Sequence, residues 1–186
     1  AEFAKKRKEF MEEQLSKQNI PFERFSAIVP KRSDFSKQGK YHDFYLRRYY
    51  EFNKKTNSAG PSMFGCYLSH YFIHKRAAKE GWGNYLVLED DCLLSKDWHK
   101  KLLSLIESKK LPSDWDMVRS CWKSINGQVG LFSNSYEYSK CREASLPEND
   151  IVNGGGTHFQ LIRAAASQKI IDLMDSDYVF GADGVY

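Results

Sequence analysis

The stretch Leu86 to Trp98, LVLEDDCLLSKDW, sets three acids in a row after a run that reads as buried strand. Glu89, Asp90 and Asp91 repel one another, so the arrangement calls for a cation or for basic partners. Hard carboxylate oxygens suit Mg²⁺ or Mn²⁺, which take the rest of their ligands from water and substrate phosphates. An ion of that kind bridging a diphosphate accounts for the cluster. Acids that cap a turn or pair with Lys and Arg account for it equally, and on the triplet alone both readings stand. Three further stretches have chemical content. GCYLSH, Gly65 to His70, puts Cys66 and His70 on one helical face. As half a zinc site it lacks an obvious second pair of ligands, so a packed cysteine and a hydrogen-bonded histidine at a sheet edge are expected instead. NGGGT, Asn153 to Thr157, lets backbone approach a sugar or phosphate, and no G-K-[ST] follows to make it a P-loop. GADGVY ends the chain with Asp183 between small residues, the usual place of a structural turn acid.

Elements must bring these residues together. The opening AEFAKKRKEFMEEQLSKQN reads as an amphipathic helix with Phe10, Met11 and Leu15 as its stripe and Asn19 as its stop. PFERFSAIV gives a rough strand signal, and residues 30 to 57 read as an irregular helix or a loop facing substrate, with rings packed inward and basic heads in water. Pro61 near its start and Gly81 at its end bound a helix with Phe64, Leu68, Phe72 and Ile73 as apolar positions. It feeds the strand WGNYLVL through a tight turn. KDWHKKLLSLIESKKL reads as a helix, WDMVRSCW as a strand and residues 123 to 150 as loops or a short hairpin. A glycine-rich turn, a short strand and a helix carrying Ala165, Ile170, Leu173 and Met174 follow. This alternation predicts an α/β fold with a mostly parallel sheet and helices on both faces, in which ligands gather at the carboxyl ends of strands.

With 186 residues and 15% aromatic side chains the chain reads as one folded domain, 1–186, and not as a disordered one. No apolar run reaches the roughly 20 residues needed to cross a bilayer. Cys66, Cys92, Cys121 and Cys141 contain no C-x-x-C pair, and the expectation is reduced thiols in a cytosolic enzyme. A net charge of +4 favours an anionic membrane surface or phosphorylated substrate only weakly, and a solvated surface explains it too.

Taken in order, the segments RKEFMEEQLSKQNIPFERFSAIV, FGCYLSHYFIHKRAAKEGWGNYLVLEDDCLL, GGGTHFQLIRAAASQKIIDLM and GADGVY resemble glycosyltransferase family 25, the lipooligosaccharide biosynthesis family. The resemblance implies a GT-A-like, Rossmann-like fold and transfer of a sugar, galactose above all, from a UDP-sugar to a glycan or glycolipid acceptor. Mn²⁺ or Mg²⁺ would be held by Asp91 and Glu89, the outer places of an E-D-D standing where D-x-D is usual. Asp90 or Glu89 would reach the donor ribose or sugar, Arg7 the nucleotide, and Ser69 and His70 would lie close to the donor. Gly155, Gly156 and Thr157 would line the donor pocket, and Asp183 would be the base of an inverting transfer. The resemblance further implies that the family's first strand and C-terminal residues are not in this chain. The expected place is the cytoplasm, the inner face of the inner membrane being one option there, and the modest positive charge allows peripheral association with an anionic membrane surface; no nucleic-acid partner is expected. A metal-dependent phosphoesterase and a catalytically idle nucleotide-sugar-binding module are the competing readings. The first needs further strand-end ligands that the sequence scarcely supplies.

Overall fold

The computed structural model describes residues 2–43, 61–92, 94, 98–107, 113–120, 123–125, 128–130, 136–139 and 159–175. Two compact units contain them, one made of Ala1–Glu23 and Gly83–Ala166, the other of Arg24–Trp82 and Ser167–Tyr186.

The first unit holds helices α1 (Glu2–Ser16), numbered from the chain start, and the strands β1 (Tyr85–Leu88), β2 (Met117–Ser120), β3 (Lys123–Ile125), β4 (Gln128–Gly130), β5 (Tyr136–Ser139) and β6 (Phe159–Ile162). Helix α3 (Trp98–Glu107) is in the same unit, and helices α2 (Pro61–Glu80) and α4 (Ser167–Asp175) are in the second. The principal sheet has the order β1-β6-β2-β5, and β3 and β4 form a separate two-stranded ribbon. Every neighbouring pair is antiparallel, with Leu86 opposite Leu161 and Leu161 opposite Val118. The expected mostly parallel, Rossmann-like sheet is therefore wrong. The physical reason lies in β6. Strands β1 and β2 are both antiparallel to β6, so they run the same way as each other, as a strand-helix-strand passage through α3 requires. Strand β6, arriving from far along the chain, takes the place between them and turns each neighbour relation antiparallel.

Leu86, Leu88, Val118, Phe159 and Leu161 fall on one face of the sheet by the two-residue period of a strand. Met11 and Leu15 of α1 and Trp98 and Leu102 of α3 join them in one core cluster, together with Cys92, Leu94 and Trp115. Both helices of this unit thus cover the same face. Val87, Met117, Gln160 and Ile162 of the opposite face are buried as well, and the four residues of β6 are all buried, as suits a central strand. Helix α1 ends where its asparagine suggests. Asn19 has φ of 54°, its N–H donates to Ser16 O, and Ile20 N–H donates to Leu15 O, a Schellman ending whose Ile20 packs on the core.

In the second unit α2 buries Phe64, Tyr67, Leu68, Tyr71 and His74, one stripe at helical spacing, while Phe72 and Ile73 are only half-buried. Rings that hydropathy ranks low carry the face. Helix α4 buries Ile170, Ile171 and Met174, and α2 packs against it. The Tyr67 hydroxyl donates to Met174 O, and the Tyr71 hydroxyl donates to Asp175 Oδ2 at 3.2 Å. Gly81, at φ of 66°, closes α2 as Trp82 N–H returns to Ala77 O. The rough strand expected over Pro21 to Val29 is absent: residues 20–31 form no regular element, and Val29 is 84% exposed. Its apolar residues alternate too loosely, and Pro21 and Pro30 deny it ladder donors at both ends. Beyond it lies a 3₁₀ turn, Arg32–Phe35, whose Asp34 carboxylate accepts from Lys31 N–H at 2.7 Å.

Candidate active site

The acidic triplet sits at the carboxyl end of β1, where the strand stops and the chain turns at once: Cys92 N–H donates to Glu89 O at 3.2 Å. Helix α1 crosses this tip and presents Arg7 to it. One guanidinium nitrogen, Nη1, lies 3.2 Å from Asp90 Oδ1 and the other, Nη2, lies 3.2 Å from Asp91 Oδ2. A planar fork thus spans two adjacent carboxylates, a geometry that an ammonium cannot copy. The side chains are 36%, 53% and 32% exposed for Arg7, Asp90 and Asp91. Water screens such pairs, and each is worth at most about 1 kcal/mol. They join residues far apart in the chain, on a helix that Met11 and Leu15 anchor in the core.

The triplet offers hard carboxylate oxygens, the ligand type that a divalent ion would take. Each aspartate engages Arg7 through one oxygen, and both remain accessible to solvent, so oxygen ligands can face a cation and its waters. The guanidinium beside them lowers the local negative potential, which disfavours a bare cation and favours one that brings phosphate oxygens. The pairing with a basic residue, one of the two readings left open by the sequence, is thus present at Asp90 and Asp91.

Below Arg7 the same side continues with Gln14 on α1 and Gln18 in the turn that ends it. Gln14 Nε2 donates to Cys92 O at 3.0 Å, and its Oε1 accepts from Leu94 N–H at 2.8 Å. Gln18 Oε1 lies 3.1 Å from His99 Nδ1 on α3. Sequence reading passed over both glutamines. The available signal was their spacing from Met11 and Leu15, which puts polar amides on the buried side of an amphipathic helix. The solvent side is different: Lys6 with Glu2, Lys5 with Glu9, Lys8 with Glu12 and Lys17 with Glu13 form ion pairs one turn apart.

Cys92 follows the acids directly but points into the core. Burial pushes its thiol up, and the charges of Asp91 and Glu89 push it further, so it stays a neutral thiol with no nucleophilic character. A second pair the sequence reading missed is Asp116 with Arg163, where Nη2 lies 3.2 Å from Oδ1 of the buried carboxylate. Arg163 N–H also donates to Asp116 O, and its Nη1 to Ser113 O. These bonds clip β6 to the approach of β2, which is a structural use of a buried charge.

In the second unit, Ser69 docks a neighbouring segment and His70 is buried. The Ser69 hydroxyl donates to Gly65 O at 2.7 Å and accepts from Ile28 N–H at 2.8 Å. Gly65 has to be glycine there, since a Cβ would stand 2.4 Å from Ile28 O. Two members of the G-C-x-x-S-H pattern therefore dock the 28–30 segment on α2. His70 is buried, with its ring centroid 6.2 Å from that of His74. Cys66 is exposed, and the expected packed cysteine is corrected: it falls off the stripe that α2 buries. Gly155, Gly156, Thr157 and Asp183 lie outside the described residues, as does the segment from 44 to 60. No helix among the described residues is long and apolar enough to cross a membrane.

A family model described as Glycosyltransferase family 25 (LPS biosynthesis protein) matches residues 2–175. A curated relative, "Lipooligosaccharide biosynthesis protein lic2B" of Haemophilus influenzae, is 24% identical over 143 residues, covering 77% of this chain and 47% of that protein. The chain spans about half the length of the curated relative it matches.

Proposed function

Because the chain belongs to glycosyltransferase family 25, we propose that it transfers a sugar from a UDP-sugar donor to a lipooligosaccharide or related glycan. Galactose is the sugar proposed, and the transfer inverts the anomeric centre. The observation that carries this reading is the Arg7 fork on Asp90 and Asp91 at the tip of β1. It supports a site for a diphosphate and its counter-ion, because acid and base stand side by side on rigid elements.

Glu89 and Asp91 would hold Mn²⁺ or Mg²⁺, and Asp90 would hydrogen-bond the donor. When bound, the ion supplies electrostatic neutralisation of the leaving diphosphate. Arg7 orients the diphosphate oxygens from the α1 side. Asp183 is proposed as the base that takes the acceptor hydroxyl proton, and Gly155, Gly156 and Thr157 as backbone lining for the donor. An acceptor of this class puts the protein at the cytoplasmic face of the inner membrane.

The test is a screen of UDP-sugars for Mn²⁺-dependent hydrolysis and transfer by the full-length protein. Turnover with UDP-galactose that EDTA abolishes is the expected result. A second reading, an idle nucleotide-sugar-binding module, is favoured by the same arginine contact, since two of the three acids already have a basic partner. Nucleotide binding that is indifferent to Mn²⁺, with no turnover on any UDP-sugar, selects that second reading.

A further inference from the structure

Gln14 bonds to the chain just beyond the acidic triplet in a way that bears on the acids themselves. Its side-chain amide has the donor and acceptor of a peptide group, and it uses both on backbone: Cys92 O at 3.0 Å and Leu94 N–H at 2.8 Å. Both bonds tie the chain beyond the triplet, at Cys92 and at Leu94, to α1. The bond from Cys92 N–H to Glu89 O closes the turn on its other side, and Leu88 is registered opposite Phe159 in the sheet. Residues 89 to 91 are therefore a short turn pinned at both ends, and Gln14 is the pin on the exit side. Met11 and Leu15, its neighbours on α1, are buried in the core, which fixes the helix that carries it.

We infer that Gln14 is a positioning residue for the carboxylates of Asp90 and Asp91. This rests on the reading of the triplet as the divalent-ion and diphosphate site. Gln14 touches neither ion nor donor. It acts by fixing the backbone from which the two aspartates project, as outer-shell partners do when their loss costs roughly 10- to 100-fold in metal affinity.

The experiment is Mn²⁺ uptake by the full-length protein in the presence of UDP, followed by electron paramagnetic resonance of the free ion. Gln14→Leu keeps the volume and removes both backbone bonds, together with the Nε2 contact to Met11 Sδ at 3.2 Å. Its Mn²⁺ affinity is expected to fall about tenfold. Ile106→Val, a one-methylene loss from the same core, serves as the stability control and is expected to bind Mn²⁺ as the parent does. Gln14→Glu, which retains the acceptor for Leu94 and sets a carboxylate against the Cys92 carbonyl, gives the same direction of change should the leucine variant not fold. Parent-like affinity in the folded Gln14 variant, or equal losses in that variant and Ile106→Val, overturns the positioning role. Absence of Mn²⁺ uptake by the parent protein overturns the reading of the triplet, and the inference with it.

Discussion

The signature FGCYLSH…VLEDD is carried by two regions held by different physics. In α2, Gly65 and Ser69 dock a neighbouring segment, and His70 is buried beside His74. At the tip of β1 its acids remain half in water and are organised by side chains of α1, through charge at Arg7 and through amide hydrogen bonds at Gln14. Burial supplies rigidity in the first region, while the second keeps charged oxygens accessible on a pinned turn.

The sharpest break of this contrast is expected in α2. Leu68 is fully buried there, and Leu68→Ala should lose about 3 kcal/mol, the transfer term plus a cavity. Urea unfolding measures it. A loss under about 1 kcal/mol would mean that α2 is not held by packing. Acidification probes the same helix more gently. Burial, with the His70 ring adding to it, pushes His74 down to about 3 from an ordinary 6.5. Between those values the unfolded chain binds a proton that the folded one does not. Stability is then full above the upper value and falls as the pH drops toward the lower, with a slope of up to about 1.4 kcal/mol per pH unit. His74→Leu should remove that one-proton slope when urea midpoints at pH 7, 6 and 5 are compared. An unchanged slope would assign the acid sensitivity to other groups.

Local order was legible where one rule decides it. The helix stop at Asn19, the Gly81 ending of α2, the strand at Leu86 and its acidic tip, and the helix after Trp98 all follow from caps and periodicity. Pairing was not legible, because the insertion of β6 between β1 and β2 depends on contacts between residues far apart in the chain. The buried stripe of α2 was misread at Phe72 and Ile73 for another reason. Tyr67, Tyr71 and His74 bury their rings while phenol oxygens reach polar partners on α4, and a hydropathy count ranks such residues as surface. The acids of the candidate site were visible as an oddity of charge. Their organisers Arg7 and Gln14 differed: the arginine was singled out by resemblance, while the glutamine carries no charge to draw attention and becomes meaningful only once α1 is laid across the tip.

The smallest effect on stability is expected where the candidate site is most charged. Arg7→Ala removes a fork that water already screens, so the loss in urea unfolding should stay within about 1 kcal/mol and shrink further in high salt. Binding should move in two directions. With the guanidinium gone, Asp90 and Asp91 repel each other more strongly, and Mn²⁺ alone should bind as well as before or better. Uptake of Mn²⁺ together with UDP should weaken, because the contact to the diphosphate from α1 is lost. A loss confined to the titration with UDP distinguishes an arginine that serves a ligand from one that only neutralises its neighbours. A loss of several kcal/mol on unfolding would instead place Arg7 with the packing residues of α2 and erase the contrast between the two regions.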